Sequence, residues 1–540
     1  MIEVSETRVM VVLLDGAPFG VFSSLARKGV LPNMRKLMKI GCFNVLNSTV
    51  PPISPVAIPS LLTGRNPGKH GLFGFGYMEN GFFRPYTSKS IAGETLWDML
   101  SAANRKVILL NVPWTFPPFK VNGIMVSGPP CPRNRAESYP PEIVSILQSN
   151  IGRYYVDLDI QKLDYNGADE GRFLEEAHLI TKKRAQAMHY LMENFEWDLF
   201  LTVFTTLDRV QHVLFGHFDE ESPLFDTEKR KVLMTYYKEI DGILGETLSL
   251  IDKNTILFIV SDHGFEYLSK HVGINNMLVQ GGFARERSKF QMLSTERIVR
   301  FLERIGYRNP KRLARTRPRT TNIAKKIFPT RIDYSKSECW GIPGASAISI
   351  NKNNVTDGKK VEAIKERLTH FLYSIKDKDN GEKIVEKVYD KSEIYDGNCV
   401  GNAPDLIIVF KKGYEPKIWR KEAIEPVKPF KDKNRTLKTG THISFSSQRG
   451  IFVVSGPSIK EGLQMEANIV DIAPTILHIL GAPVSLDVDG QVLKQIFRKK
   501  SRFETQKVKL QKFHAEKKES QLSKENEEAI KERLRILGYI

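Results

Sequence analysis

Short apolar runs punctuate the chain at 9–14, 107–111, 199–205, 255–260, 405–410 and 451–455, and each is nearly continuous rather than alternating. A strand wetted on one face alternates apolar with polar positions, so unbroken runs of this length predict strands buried on both faces. Between them lie stretches with apolar residues at helical spacing, such as 31–40 after Gly29 and 172–194. Strands alternating with helices predict an α/β fold: a mostly parallel central sheet with helices on both faces. No internal repeat interrupts the pattern.

Chemistry-bearing residues follow three of these runs. The run 9–14 ends in Asp15-Gly16, 255–260 ends in Ser261-Asp262-His263-Gly264, and 199–205 leads into Asp208-Arg-Val-Gln-His212. In open α/β sheets ligands bind at the carboxyl ends of the strands, so carboxylates and imidazoles gathered there suggest a metal site. Asp208 and His212 stand four residues apart, on one face of a helical turn, where both reach a single ion at roughly 2.0–2.2 Å. A catalytic metal ordinarily takes three protein ligands and keeps one position open, and His442 in the loop Lys438-Thr-Gly440-Thr441-His442 is the natural third donor.

A hydroxyl completes the set. Prolines on both sides of Ser54, in Pro51-Pro-Ile-Ser54-Pro55, force an extended approach and place Ser54 at a loop-to-helix junction. Serine is a weak nucleophile without a base or a metal, and no G-x-S-x-G elbow occurs in the chain, which leaves metal activation as the consistent option.

Composition adjusts this picture in three ways. The 540 residues carry a net charge of +18, which favours anionic partners: phosphate esters, nucleic acid or an acidic surface. Basic residues crowd 281–334 (Arg285, Arg297, Arg304, Arg312 and others), as in a cap inserted into the core. Cys42, Cys131, Cys339 and Cys399 are widely spaced with no CxxC pair, which argues against a disulfide framework and a cysteine zinc site. No apolar run is long enough to span a bilayer and the first residues lack a secretory pattern, so a cytoplasmic protein is expected. The expected organisation is a catalytic core in two parts, 1–280 and 341–497, the basic cap at 281–340, and a charged helical tail at 498–540.

At these residues the chain resembles the alkaline phosphatase superfamily, and within it the type I phosphodiesterase and nucleotide pyrophosphatase branch. The resemblance spans 7–497 and adds Thr63-Gly64, Pro67-x-x-His70-Gly71 and Asp471-Ile-Ala-Pro474-Thr475 to the motifs above. It implies two divalent ions, zinc by ligand type with manganese as the alternative. One would be held by Asp208, His212 and His442 and the other by Asp15, Asp262 and His263, with Ser54 between them attacking phosphorus to give a phosphoseryl intermediate. Relatives generally place threonine where Ser54 stands, and an asparagine shortly after the His70-Gly71 equivalent, where this chain has Gly74-Phe75-Gly76. Lys69, Tyr77 and Arg84 are the substitutes considered for that phosphoryl contact. Cys131-Pro132-Arg133 lacks the C-x-P-x-R spacing of sulfatases, and Asp405 reads as structural.

The expectation is therefore a phosphoesterase acting on a small anionic phosphate ester, a nucleotide among the options. A phosphoglycerate mutase-like phosphotransferase is the alternative enzyme, and a non-catalytic nucleic-acid binder of the same fold the alternative outside enzymes. The assembled ligand set favours an enzyme.

Overall fold

The computed structural model describes residues 7–79, 82–132, 135–158, 169–287, 331–427, 438–513 and 523–536. Its central sheet runs, in spatial order, Ala467–Asn468, Gly41–Asn47, Arg449–Ser455, Thr255–Val260, Arg8–Leu14, Leu199–Phe204, Val107–Val112, Gly123–Ser127 and Ser138–Tyr139. The strands from Thr255–Val260 to Gly123–Ser127 are parallel, with Val9 opposite both Leu199 and Ile256. Parallel neighbours require crossovers, and helices supply them on both faces.

The pleat of one strand shows why the run 9–14 is unbroken. Met10, Val12 and Leu14 point into one core, with the helices Phe19–Arg27, Thr206–Phe218 and Thr227–Leu250. Val9, Val11 and Leu13 point into the other, with Ser54–Thr63, Leu96–Ala102 and Ile472–Ile479. Each fully buried aliphatic side chain contributes about 1.5–3 kcal/mol, so a strand clothed on both sides is almost continuously apolar.

Two of the apolar runs behave differently from the βαβ expectation. Arg449–Ser455 lies in the central sheet but antiparallel to both neighbours. Leu406–Phe410 belongs to a separate four-stranded sheet with Cys339–Gly341, Ala347–Ile350 and Val385–Asp390, where its pairings are antiparallel. That sheet and the helix Gly358–Ser374 enclose a third core that includes Ile53 and Val56 at the start of the Ser54 helix. A continuous apolar run reports burial on both faces, not strand direction. Most of the basic segment, 288–330, lies outside the described residues. No described helix is long and apolar enough to cross a membrane.

Candidate metal centre

The parallel register brings three strand ends side by side. Leu14, Phe204 and Val260 close adjacent strands, so Asp15, the helix bearing Asp208 and His212, and Asp262-His263 emerge at one rim. Backbone contacts stitch the loops together. The amide of Gly16 donates to Asp262 Oδ1 (3.2 Å), that of Ala17 to Ser261 Oγ (2.8 Å), and Gln211 Nε2 donates to the Gly16 carbonyl (2.7 Å). Gly16 has φ of 73°, and a Cβ there would lie 3.1 Å from Phe265 and 3.2 Å from Gln211, so the turn both favours and fits glycine.

His442 arrives from much later in the chain. The short strand Gly440–Thr441 pairs with Glu266 and Tyr267, just beyond His263. A Cβ on Gly440 would stand 2.5 Å from the carbonyl of Gln211, so only glycine lets this loop approach the Thr206–Phe218 helix. Ser54 is the first residue of the helix Ser54–Thr63, with Ile53 extended before it and Pro55 following, as the flanking prolines predict.

The seven side chains singled out from the sequence converge. Ser54 Oγ donates to Asp15 Oδ1 (3.2 Å) and lies 3.1 Å from His263 Nε2. His263 Nε2 is 3.5 Å from Asp15 Oδ1 and 3.4 Å from Asp262 Oδ2. Asp208 Oδ1 is 3.4 Å from His212 Nε2 and 3.7 Å from His442 Nε2. The rings of His263 and His442 stack with centroids 3.8 Å apart. Among the described residues two sets of ligand atoms gather within 4.8 Å: Asp208, His212, His442, and Asp15, Asp208, His263. Asp208 thus stands in both, a junction that sequence spacing, which ties it only to His212, does not reveal.

Tautomers follow from the carbonyls. His212 Nδ1 meets the Gly440 carbonyl (2.9 Å), His263 Nδ1 that of Gly264 (2.8 Å), and His442 Nδ1 that of Pro52 (2.9 Å). A carbonyl only accepts, so each Nδ1 carries the proton and each Nε2 turns a lone pair inward. Three inward lone pairs facing three carboxylates is an arrangement that a cation resolves and that hydrogen bonding among these groups does not. Asp262 Oδ2, fully buried, accepts no hydrogen bond among the described residues.

Electrostatics agree with a site built for cations. Burial, then Asp262 and Asp208, pushes the Asp15 carboxyl well above its usual range. Burial, with Lys438 and neighbouring histidines adding to it, holds His212 and His442 well below theirs, which keeps both imidazoles neutral and able to donate. Arg209 Nη1 donates to Asp208 Oδ2 at 2.6 Å, a partner that the sequence reading passed over although Arg209 stands within the Asp208–His212 motif. The substitutes considered for phosphoryl contact are engaged elsewhere: Lys69 with Asp489 (2.6 Å), Arg84 with Glu527 (2.7 Å), and Tyr77 exposed against Tyr86. Asp405, bonded to the Ile350 amide and to Lys391, is structural.

Comparison with known proteins places this geometry. The family model for type I phosphodiesterase / nucleotide pyrophosphatase matches residues 9–433. Human ectonucleotide pyrophosphatase / phosphodiesterase 5 superposes with a TM-score of 0.50 at 13% identity, over 91% of this chain and 99% of that one. The murine protein, as an inactive variant in complex with AMP, gives 0.51 at 14% identity, over 91% of this chain and 100% of that one. No curated protein sequence matches. At such identities the structures speak for the fold, while the family match covers most of the chain. The chain belongs to the type I phosphodiesterase / nucleotide pyrophosphatase family and is a hydrolase.

Proposed function

We propose that Ser54 is the nucleophile of a dinuclear phosphodiesterase that hydrolyses phosphodiester or nucleotide pyrophosphate bonds through a phosphoseryl intermediate. The observation that carries the reading is the convergence of Ser54 Oγ, three inward Nε2 atoms and three carboxylates on one buried point. One ion would be held by Asp208, His212 and His442 and the other by Asp15, Asp262 and His263, with Asp208 also within 4.8 Å of Asp15 and His263. The mixed imidazole and carboxylate donors suit zinc, with manganese the next choice. Bound there, two such ions would supply Lewis-acid stabilisation of the attacking and leaving oxygens and lower the pKa of a hydroxyl.

The chain's own residues do the rest. Asp15 accepts the Ser54 hydrogen bond and so fixes the χ1 rotamer that aims Oγ into the site. The Gly440, Gly264 and Pro52 carbonyls lock the three imidazoles, so no reorganisation is needed as charge develops. Ser54 Oγ forms a bond to phosphorus as the bond to the leaving oxygen breaks on the opposite side, and that oxygen takes up the hydroxyl proton. Water then attacks the phosphoserine, the Oγ–P bond breaks, a proton from water restores the hydroxyl and the phosphate product leaves. A small anionic phosphate ester, a nucleotide in particular, fits the AMP found with the murine relative.

The test pairs metal analysis with a panel of chromogenic phosphate diesters, monoesters, sulfate esters and a nucleotide pyrophosphate. Ser54→Ala is expected to lose at least a thousandfold in diester turnover, about 4 kcal/mol of barrier, with metal content unchanged. Unchanged turnover in that variant rules Ser54 out as the nucleophile.

A further inference from the structure

The helix Lys524–Ile536 lies beyond the region the family model matches, yet its contacts lead back to the metal centre. Ile530 and Leu534 are buried in the core that also holds Leu207 and Val210 of the Asp208 helix. At one end both carboxylate oxygens of Glu527 accept from Arg84 Nη1, at 2.7 and 3.0 Å. Toward the other end Arg533 Nη2 donates to the Leu158 carbonyl (2.8 Å) and stands 3.4 Å from Asp157 Oδ2. Asp157 Oδ2 is also 3.3 Å from Arg209 Nη2, and the other terminal nitrogen of Arg209 donates to Asp208 Oδ2 at 2.6 Å. Four charged groups thus run without a break from the C-terminal helix to Asp208.

Within this row Asp157, Asp208 and Arg533 are buried, at 0%, 1% and 5% exposed, and the Arg209 side chain between them is 10% exposed. Packing alone does not account for it. Taking ions out of water costs several kcal/mol each, and apolar side chains of similar volume hold a helix at least as well. What the row does accomplish is geometric. Asp157, with its other oxygen fixed by the Leu158 amide (3.0 Å), receives two guanidiniums, and Arg209 is forked between Asp157 and Asp208. With Oδ2 tied to Arg209, Asp208 turns Oδ1 toward His212 and His442.

We propose that Arg533 and Asp157 are positioning residues for the metal centre: the C-terminal helix, acting through Asp157 and Arg209, sets the orientation of Asp208 and with it the affinity for metal. This rests on the reading of Asp208 as a metal ligand. Without Arg533, Asp157 claims more of Arg209, which loosens its hold on Asp208 Oδ2.

The sign of the effect separates positioning from plain charge. Removing a cation near a cation site strengthens metal binding by Coulomb's law, whereas loss of positioning weakens it. Zinc affinity is read by competition titration calorimetry on the full-length metal-free protein and its variants. Arg533→Met is expected to weaken zinc by about tenfold to a hundredfold, the usual effect of losing an outer partner of a metal ligand. Arg533→Lys recovers part of the affinity and guards against a variant that fails to fold. Glu527→Gln loosens the same helix at its Arg84 anchor and is expected to lower the thermal midpoint in chelator with zinc affinity within about threefold of wild type. Zinc binding that is unchanged or tighter in Arg533→Met, or weakened equally by Glu527→Gln, overturns the proposal. Asp208→Asn is measured alongside. If it binds zinc as wild type does, the metal-ligand reading itself falls, whereas loss there with no effect of Arg533→Met sinks only the positioning role.

Discussion

Replacing Asp15 by Asn tests the cation centre without any assumption about substrate. The two are nearly isosteric, and the amide oxygen can still accept the Ser54 hydroxyl that now reaches Oδ1 at 3.2 Å. What changes is charge. Ligand atoms of Asp15, Asp208 and His263 all lie within 4.8 Å of one another. Two unit charges at that separation repel by about 3.5 kcal/mol at an effective dielectric constant near 20. Arg209 on Asp208 offsets part of this, and removing the Asp15 charge should stabilise the metal-free protein by about 1–3 kcal/mol. The pH dependence has a definite sign. A carboxyl whose folded-state pKa is raised costs stability above its unfolded value of 3.8, increasingly as pH climbs through the folded value, so the gain from Asn is larger at pH 8 than at pH 5. In zinc that gain is offset, because the variant has lost a ligand. A hundredfold weaker affinity removes about 2.7 kcal/mol of ligand-linked stability. Differential scanning fluorimetry in chelator and in zinc reads both effects. A variant less stable than wild type in chelator, and raised as far by zinc, would refute the cation-centre argument.

Gly440→Ala should push the His442 loop off the Gln211 carbonyl, costing about 1–3 kcal/mol for the strained contact; it should also reduce bound zinc, and a variant with full zinc content and unchanged melting contradicts the close-packing account. His70, fully buried between Ser60 and the Leu72 amide, has its pKa pushed down to about 3 by burial and then Arg65. Its unfolded form binds a proton below pH 6.5 that the folded form refuses, so lowering pH from 7 to 5 should remove about 2 kcal/mol through this residue. Urea unfolding of wild type and His70→Gln at both values measures the difference, which vanishes if His70 titrates normally. Leu13→Ala, at a fully buried position of the central strand, should cost about 2–5 kcal/mol in the same assay.

The residues of the centre were legible because strand ends and helical spacing are local signals. Asp15, Asp262 and His263 stand directly after runs that had to be strands, and Asp208 and His212 share a face by periodicity alone. Strand direction was not legible: 405–410 and 451–455 show the same burial as their parallel counterparts, and pairing partners are fixed by tertiary context. Nor could spacing show that Asp208 serves both ligand groups, or that Arg209 is forked toward Asp157. Those contacts join residues 50 or more positions apart, such as Arg209 and Asp157 at a separation of 52, and leave no periodic trace. The acidic partners of Lys69 and Arg84 were illegible for a related reason, since Asp489 and Glu527 stand more than 400 positions further along the chain.

The late arrival of His442 has a consequence for biosynthesis. Its partners Asp208 and His212 belong to the first half of the polypeptide, but the imidazole itself comes from the Gly440–Thr441 loop, after the parallel strands from Thr255–Val260 to Gly123–Ser127 have been made. A nascent chain halted on the ribosome before that loop emerges contains Asp15, Asp208 and His263 but lacks the third donor of the Asp208, His212 and His442 group. Delivery of His442 to Asp208 and His212 is therefore a late step of folding, available only once synthesis has run past the loop.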